Sequence, residues 1–368
     1  MLAMTKILKD PFFAVFFILL LILSCFFPQE IPEYVSFVDW HTIFTLACLM
    51  LITTFIQETG YLECLTWRIT FSLRSERHFA LILVLLSALL STFLTNDVAL
   101  FVVLPLVFST KSYLKIDATK LMVMITIAVN AGSALTPIGN PQNLYLWHLW
   151  NIGFFPFIKY LFPLCALMIA VLCLFCFILF PSKPLVFIER IGKDIPFSRN
   201  RKQFVLSLGL LVFLLIAMEY RKVPFLFVPL LIFFTFCYPR VVKDVDWMFL
   251  FVFVLIFVDL HLLSQLSFFQ FIVHLFDMHT SKGVFMAGIV FSQFMSNVPA
   301  SIFLSKFTGN LLALTYGVNV GGNGLILSSF ANLITLRLSK DKRFWTLFHI
   351  YSLIYLIFTS ILVYFFLF

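Results

Sequence analysis

The sequence predicts an all-α, polytopic membrane protein built from two inverted repeats, with about nine transmembrane helices plus two re-entrant hairpins with broken helices. Three observations predict it. Of the 368 residues, 62% are apolar and only 11% charged, with a mean hydropathy of +1.06, well beyond what a soluble core needs. Apolar runs of about 20 residues, the length that crosses a bilayer, follow one another along the whole chain. Polar sequences that interrupt these runs recur in the same order in both halves.

Taken in order, the apolar runs predict helices at 11–27, 39–56, 120–150, 157–180, 203–218, 223–238, 247–263, 310–336 and 345–366, with 120–150 and 310–336 broken in the middle. The first run follows Lys6 and Lys9 but has no small-residue cleavage site after it, so it reads as a helix and not as a signal peptide. Residues 79–108 are too many for one crossing and too few for two with a turn, and Thr95-Asn96-Asp97 interrupts them. Two half-helices meeting at a polar tip, a re-entrant hairpin, fit that length. Residues 283–307 read as a second hairpin because Ser296-Asn297-Val298-Pro299 breaks their centre.

With both hairpins returning to the side they enter, 20 of the 25 lysines and arginines fall on one side; only Lys159, Arg221, Lys222, Lys282 and Lys306 fall on the other. The richer side is cytoplasmic by the positive-inside rule. That places the chain in the cytoplasmic (inner) membrane with its N-terminus inside and its C-terminus outside. The net charge of +8 therefore reads as a topology signal and not as a nucleic-acid surface. Cys173 and Cys176, inside one apolar run, read as packing residues.

The repeats are visible as ordered matches. Val38-Asp39-Trp40 recurs as Val245-Asp246-Trp247, Thr95-Asn96 as Ser296-Asn297, and Asn130-Ala131-Gly132 with Asn143 as Asn319-Val320-Gly321 with Asn332. The organisation read from them is a first repeat over 1–180, a cytoplasmic loop and linking helix over 181–222, and a second repeat over 223–368. The single helix 203–218 starts the second copy on the opposite side of the membrane, which inverts it.

In hydrocarbon an unpaired backbone amide or carbonyl costs several kcal/mol, so a helix breaks there where the break lines a cavity or packs inside protein. Half-helices that begin after Asn96 and Asn297 present free N–H groups and a positive dipole end, which suit an anion. Thr95, Asn96, Ser296, Asn297, Pro141, Asn143 and Asn332 are accordingly the expected substrate-binding residues. Freed carbonyls and side-chain oxygens suit a small hard cation, and the expected ion-coupling set is Asp97, Asn130, Gly132, Thr136, Gly139, Asn140, Asn319, Gly321 and Asn323. Asp97 stands apart: a carboxylate at mid-bilayer costs about 2.5–3.5 kcal/mol by insertion scales, and its counterpart in the second copy is Val298. Asp259 is a weaker candidate for the same role, and His261 and His274 read as interfacial. No resident cofactor is expected; Na⁺ enters only as a possible coupling ion.

Thr95-Asn96-Asp97 and Thr136 to Asn143 (TPIGNPQN), mirrored by Ser296-Asn297 and Gly321 to Asn332 (GGNGLILSSFAN), resemble the ion transporter superfamily, which includes citrate carriers, divalent anion:sodium symporters and arsenite permeases. The resemblance spans nearly the whole chain. It implies secondary active transport of a small anion coupled to Na⁺ or H⁺, an elevator-type motion, a homodimer in membrane lipid, and contact of Asn96 and Asn297 with the substrate. Thr-Asn-Asp at the first tip is more like the arsenite permeases, so arsenite-type efflux or cation/proton antiport is the alternative, and a channel the less favoured one. The chain has no H-E-x-x-H, no G-x-S-x-G and no Gly-x-Gly-Asp motif, so it is not read as an enzyme.

Overall fold

The computed structural model describes residues 11–71, 75–110, 116–184, 200–339 and 341–368. Nine of the predicted topology charges, Lys6, Lys9, Arg74, Lys111, Lys115, Arg190, Lys193, Arg199 and Lys340, lie outside the described residues. The described residues form helices α1 (Pro11–Phe26), α2 (Trp40–Glu58), α3 (Tyr61–Phe71), α4 (Glu76–Phe93), α5 (Asn96–Thr110), α6 (Ala118–Ser133), α7 (Pro141–Trp150), α8 (Phe154–Leu179) and α9 (Arg201–Glu219). They continue as α10 (Val223–Cys237), α11 (Trp247–Gln265), α12 (Ser267–Val273), α13 (Ser281–Met295), α14 (Asn297–Leu304), α15 (Leu311–Gly321), α16 (Phe330–Ser339) and α17 (Arg343–Phe366), with a few shorter turns between them. Among the described residues no strand forms. This is the predicted all-α polytopic membrane protein.

Six helices, α2, α4, α8, α9, α11 and α17, are long and apolar enough to cross a membrane by themselves. The four remaining predicted crossings are shorter pieces, the broken helices α6–α7 and α15–α16 and the 16-residue α1 and 15-residue α10. The surplus long helix is α4, predicted as one arm of a hairpin. Its partner α5 nevertheless turns back. Thr92 Oγ1 donates to the Gly132 carbonyl (3.0 Å), so the ends of α4 and α6 meet, and Asn96 N–H donates to the Gly139 carbonyl, so α5 starts there too. If α5 ran onward, its end and the start of α6 would stand about 46 Å apart, each helix adding about 1.5 Å per residue. The eight peptide steps from Thr110 to Ala118 reach about 29 Å at most.

The second hairpin closes by direct contact. Asn310 Nδ2 donates to Ser281 Oγ (2.8 Å), which joins the starts of α13 and α15 on either side of α14. The two hairpins enter from opposite ends of the 26-residue α8. Arg77 Nε donates to the Phe180 carbonyl (2.9 Å), so α4 starts where α8 ends. Tyr316 OH donates to the Tyr160 carbonyl (2.7 Å), so the middle of α15 lies against the first third of α8.

The pairing pattern also repeats. α4 packs along α6 and α13 along α15; α5 packs on α16 and α14 on α7; α1 packs on α11 and α10 on α2. At equal places Trp40 Nε1 donates to the Val35 carbonyl (2.9 Å) and Trp247 Nε1 to the Val242 carbonyl (2.8 Å). Asp39 and Asp246 cap the starts of α2 and α11 with side-chain oxygens, each satisfying an N–H that the first helical turn leaves open.

Large apolar side chains such as Phe155, Phe225, Phe236 and Ile178 stay exposed on the outer helices, as a lipid-facing surface requires. Buried serines and threonines return their hydroxyls to the carbonyl one turn back, as at Thr53, Ser87, Thr126 and Thr315, so they leave no free donor in the hydrocarbon. At one end Thr119 Oγ1 and the Arg343 N–H bond the Asp341 carboxylate and join the starts of α6 and α17. These bonds, Thr119 first, hold the carboxyl down at about 2. Their contribution is present above the ordinary carboxylate range and is lost as pH falls through about 2.

The α13–α15 contact is close enough to need glycine. A Cβ on Gly288 would sit 2.9 Å from the Gly317 Cα. Gly288→Ala is therefore expected to destabilise by about 1–3 kcal/mol through overpacking. Gly209 on α9, where a Cβ meets nothing within 4 Å, is the control: Gly209→Ala is expected to be neutral or to stabilise by up to about 1 kcal/mol. Thermal melts of the two purified variants check the contrast.

Candidate functional site

The two broken helices meet in the middle of the bundle. Asn130 Nδ2 donates to Asn332 Oδ1 (2.9 Å) and to the Gly322 carbonyl (3.1 Å), while Ser329 Oγ donates to Asn130 Oδ1 (3.1 Å). In the mirrored places Asn319 Nδ2 donates to Asn143 Oδ1 (2.6 Å), and Asn140 Nδ2 donates to Asn319 Oδ1 (3.1 Å). The remaining amide hydrogens follow suit. Asn143 Nδ2 donates to the Ala134 and Thr136 carbonyls, and Asn332 Nδ2 to the Gly322 and Leu325 carbonyls. All five amides are nearly or fully buried. The cluster absorbs the carbonyls freed by both breaks, which is how two interrupted helices persist without water.

The hairpin tips flank this cluster. At the first, the Asn96 Oδ1 accepts from the Asp97 N–H (3.0 Å), and Thr136 Oγ1 receives the Gly139 N–H (3.1 Å) in the turn that carries the tip's backbone partner. At the second, Ser296 has φ +74°, a region that a residue with a Cβ rarely adopts. Such strain persists only where its surroundings hold it, and it concentrates at functional sites. The Asn297 amide lies against Gly322, where a Cβ would come within 2.8 Å of its Nδ2.

A cavity of about 470 Å³ lies between the tips. Thr95, Asn96, Asp97, Pro141, Asn297 and Ser329 line its polar part, with Phe101, Phe249 and Phe330 beside them. Its mouth carries Asp244, Asp246 and Arg337. Of the residues expected at the site, the cavity thus gathers Thr95, Asn96, Asp97, Pro141 and Asn297. Ser296 is buried just behind its tip, with Oγ within 3.5 Å of the Ser328 carbonyl. Asn143, Asn332, Asn130, Asn140 and Asn319 sit one layer back, in the amide cluster. Gly132 and Gly321 mark the close approach of α6 to Ala88 and of α15 to Ile289 and Ser292. Asn323 is buried with its Oδ1 unpartnered.

Five polar lining residues, Gln142, Asp244, Asp246, Ser329 and Arg337, lie outside the expected site set. Gln142 lines the cavity with its Oε1 buried and unpartnered; its place between Pro141 and Asn143, on the first turn of a half-helix, was the available signal. In the sequence Asp246 stands out only as part of the repeated Val-Asp-Trp, and Arg337 only as a topology charge. Asp259, by contrast, is fully buried on α11 with neither carboxyl oxygen partnered, and it does not line the cavity.

Long apolar helices, paired breaks and a polar cavity between hairpin tips define the class: a multi-pass membrane transporter. The comparisons agree. The family model for the citrate transporter matches residues 1–310, and the chain belongs to that family. Inner membrane protein YbiR of Escherichia coli (strain K12) is 39% identical over 355 residues, covering 96% of this chain and 95% of that protein. An uncharacterized transporter of Methanocaldococcus jannaschii is 36% identical over 329 residues, covering 88% of this chain and 87% of its own length. Putative transporter arsB of Dictyostelium discoideum is 26% identical over 132 residues, 36% of this chain and 23% of that protein. The family is one of transporters, and the Methanocaldococcus jannaschii relative is itself named a transporter.

Proposed function

We propose that this protein is a secondary active transporter that carries a small anion of carboxylate or inorganic type, coupled to Na⁺ or H⁺, by elevator-type alternating access. The observation that carries the reading is the cavity between Asn96 and Asn297, with a half-helix starting at each. The two starts differ in charge. Asp97 occupies the positive end of α5, whereas Val298 leaves the eight-residue α14 with its N–H groups and Asn297 open to an anion. The anion therefore belongs at the second tip and the cation beside Asp97. Asp97, Asp244 and Asp246 outnumber Arg337 around this cavity, so an anion enters more readily with a cation than alone.

The recurring hydrogen bonds and helix pairs support two inverted repeats over 1–180 and 223–368. The amide cluster ties α6–α7 to α15–α16, which suits a single moving body that slides against α1, α2, α10 and α11. The cavity mouth lies at the end holding Arg240, Lys243, Arg337, Lys342 and Arg343, the cytoplasmic end by positive charge. On that reading the site faces the cytoplasm, Met1 is inside and Phe368 outside. Two such chains form the homodimer that the family resemblance implies.

The test is uptake into proteoliposomes of labelled citrate, a dicarboxylate and arsenite under separately imposed Na⁺ and H⁺ gradients. The reading expects saturable accumulation of at least one anion above equilibrium with one of the gradients. Flux that only equilibrates, without saturating, contradicts it and points to a channel.

A further inference from the structure

Equal positions in the two copies are closed at one end of the molecule and open at the other. At the closed end Thr42 Oγ1 lies 2.9 Å from His148 Nδ1 and donates to Asp39 Oδ2 (2.8 Å), and His148 Nδ1 stands 4.0 Å from the same carboxylate. These contacts join the start of α2 to the last turn of α7. Asp39, His41, His148 and Arg221 line a separate pocket of about 350 Å³, and neither hairpin tip reaches it.

Carried onto the second copy by the spacing of the repeats, Asp39 becomes Asp246, Thr42 becomes Phe249, and His148 becomes Arg337. The start of α11 and the last turn of α16 correspond in this way to the start of α2 and the last turn of α7. Yet Asp246 and Arg337 are both exposed, face the mouth of the large cavity, and form no ion pair with each other within 4.0 Å.

We propose that Asp246 and Arg337 pair to close the cytoplasmic mouth when the site faces outward, taking over there the role that Asp39, Thr42 and His148 hold at the other end now. The proposal rests on the alternating-access reading and adds its contact residues. In inverted repeats, the state that opens the other way exchanges the arrangements of the two copies. The arrangement now seen at Asp39 and His148 then falls on Asp246 and Arg337. The chemistry fits better there than in the copy already closed. Phe249 has no hydroxyl to stand in for Thr42, but the longer Arg337 guanidinium can reach the carboxylate directly and hold it through two parallel hydrogen bonds.

The test uses two cysteine pairs in full-length protein in liposomes, with the seven native cysteines replaced by serine or alanine. Asp246→Cys with Arg337→Cys is expected to form an intramolecular disulfide under mild oxidation. Thr42→Cys with His148→Cys is expected to form one as well, and in a four-cysteine variant each link should exclude the other. Asp246→His with Arg337→His, bridged by Zn²⁺, tests the same approach without oxidation. If neither inner pair ever links while the outer pair links only in part, the outer end opens without this contact and the proposal falls, with alternating access intact. If the outer pair links in every molecule and the inner pair in none, the molecule does not alternate, and the functional reading falls with it.

Discussion

Replacing Asn130 by alanine is expected to destabilise the protein by about 2–4 kcal/mol, and Asn319→Ala by a similar amount. Each amide serves the other broken helix. Without Asn130, the Oδ1 of Asn332 loses its donor and the hydroxyl of Ser329 its acceptor, both fully or almost fully buried. Without Asn319, the Oδ1 of Asn143 loses its donor, and Asn140 Nδ2 loses one acceptor while keeping the carbonyl and hydroxyl of Ser133. Leaving a buried polar group unsatisfied costs about 1–3 kcal/mol. Polar contacts within membranes average less, about 0.6 kcal/mol, because the unfolded chain in the bilayer also finds partners; the sum of two lost partners is reduced accordingly. Unfolding in mixed detergent micelles, with a double-mutant cycle on Asn130 and Asn332, measures it. A cost under about 1 kcal/mol for both single variants would remove the cluster as the element that binds the two broken helices into one body.

Asp97→Asn is expected to keep the fold and to abolish ion-driven accumulation. Asparagine preserves the shape and an oxygen at the start of α5 but not the charge, and Asp97 lines the cavity beside Thr95 and Asn96. A cation bound to that carboxylate offsets its cost in the bilayer, which makes loading favourable only when the ion is present. Wild type and Asp97→Asn are compared in proteoliposomes across a Na⁺ series at fixed pH and a pH series at fixed Na⁺. The variant should equilibrate the transported anion without concentrating it. An unchanged ion dependence would leave Asp97 as a helix-start residue and move the coupling role to the carbonyls around Gln142 and Asn323.

Much of this architecture is legible in the sequence because membrane burial imposes simple rules. Apolar length locates the long helices, and the pairs Thr95-Asn96 and Ser296-Asn297 locate the tips, since few polar residues are tolerated at that depth. The spacing between Asn130 and Asn143, repeated from Asn319 to Asn332, marks these asparagines as equivalent pairs. Other features need three dimensions. α3 and α12 are too short to leave an apolar signal. Asn143 and Asn332 look like ligands from spacing alone; only the fold shows their amides engaged by backbone carbonyls and by Asn319 and Asn130. Arg337 carries the same chemistry as every other charge at that end, and its place over the cavity follows from where α16 runs after its break.

The central claim is that an anion binds between the two hairpin tips together with a cation. Its most direct measurement is the thermal stability of wild type, Asn96→Ala, Asn297→Ala and the double variant, each titrated with a panel of small carboxylates and inorganic oxyanions in Na⁺ and in choline. The account predicts that at least one anion raises the wild-type melting temperature, more so in Na⁺, and that the shift is absent from the double variant while its unliganded stability stays near wild type. An equal shift in wild type and double variant would contradict it, because the anion would then be binding somewhere other than between Asn96 and Asn297.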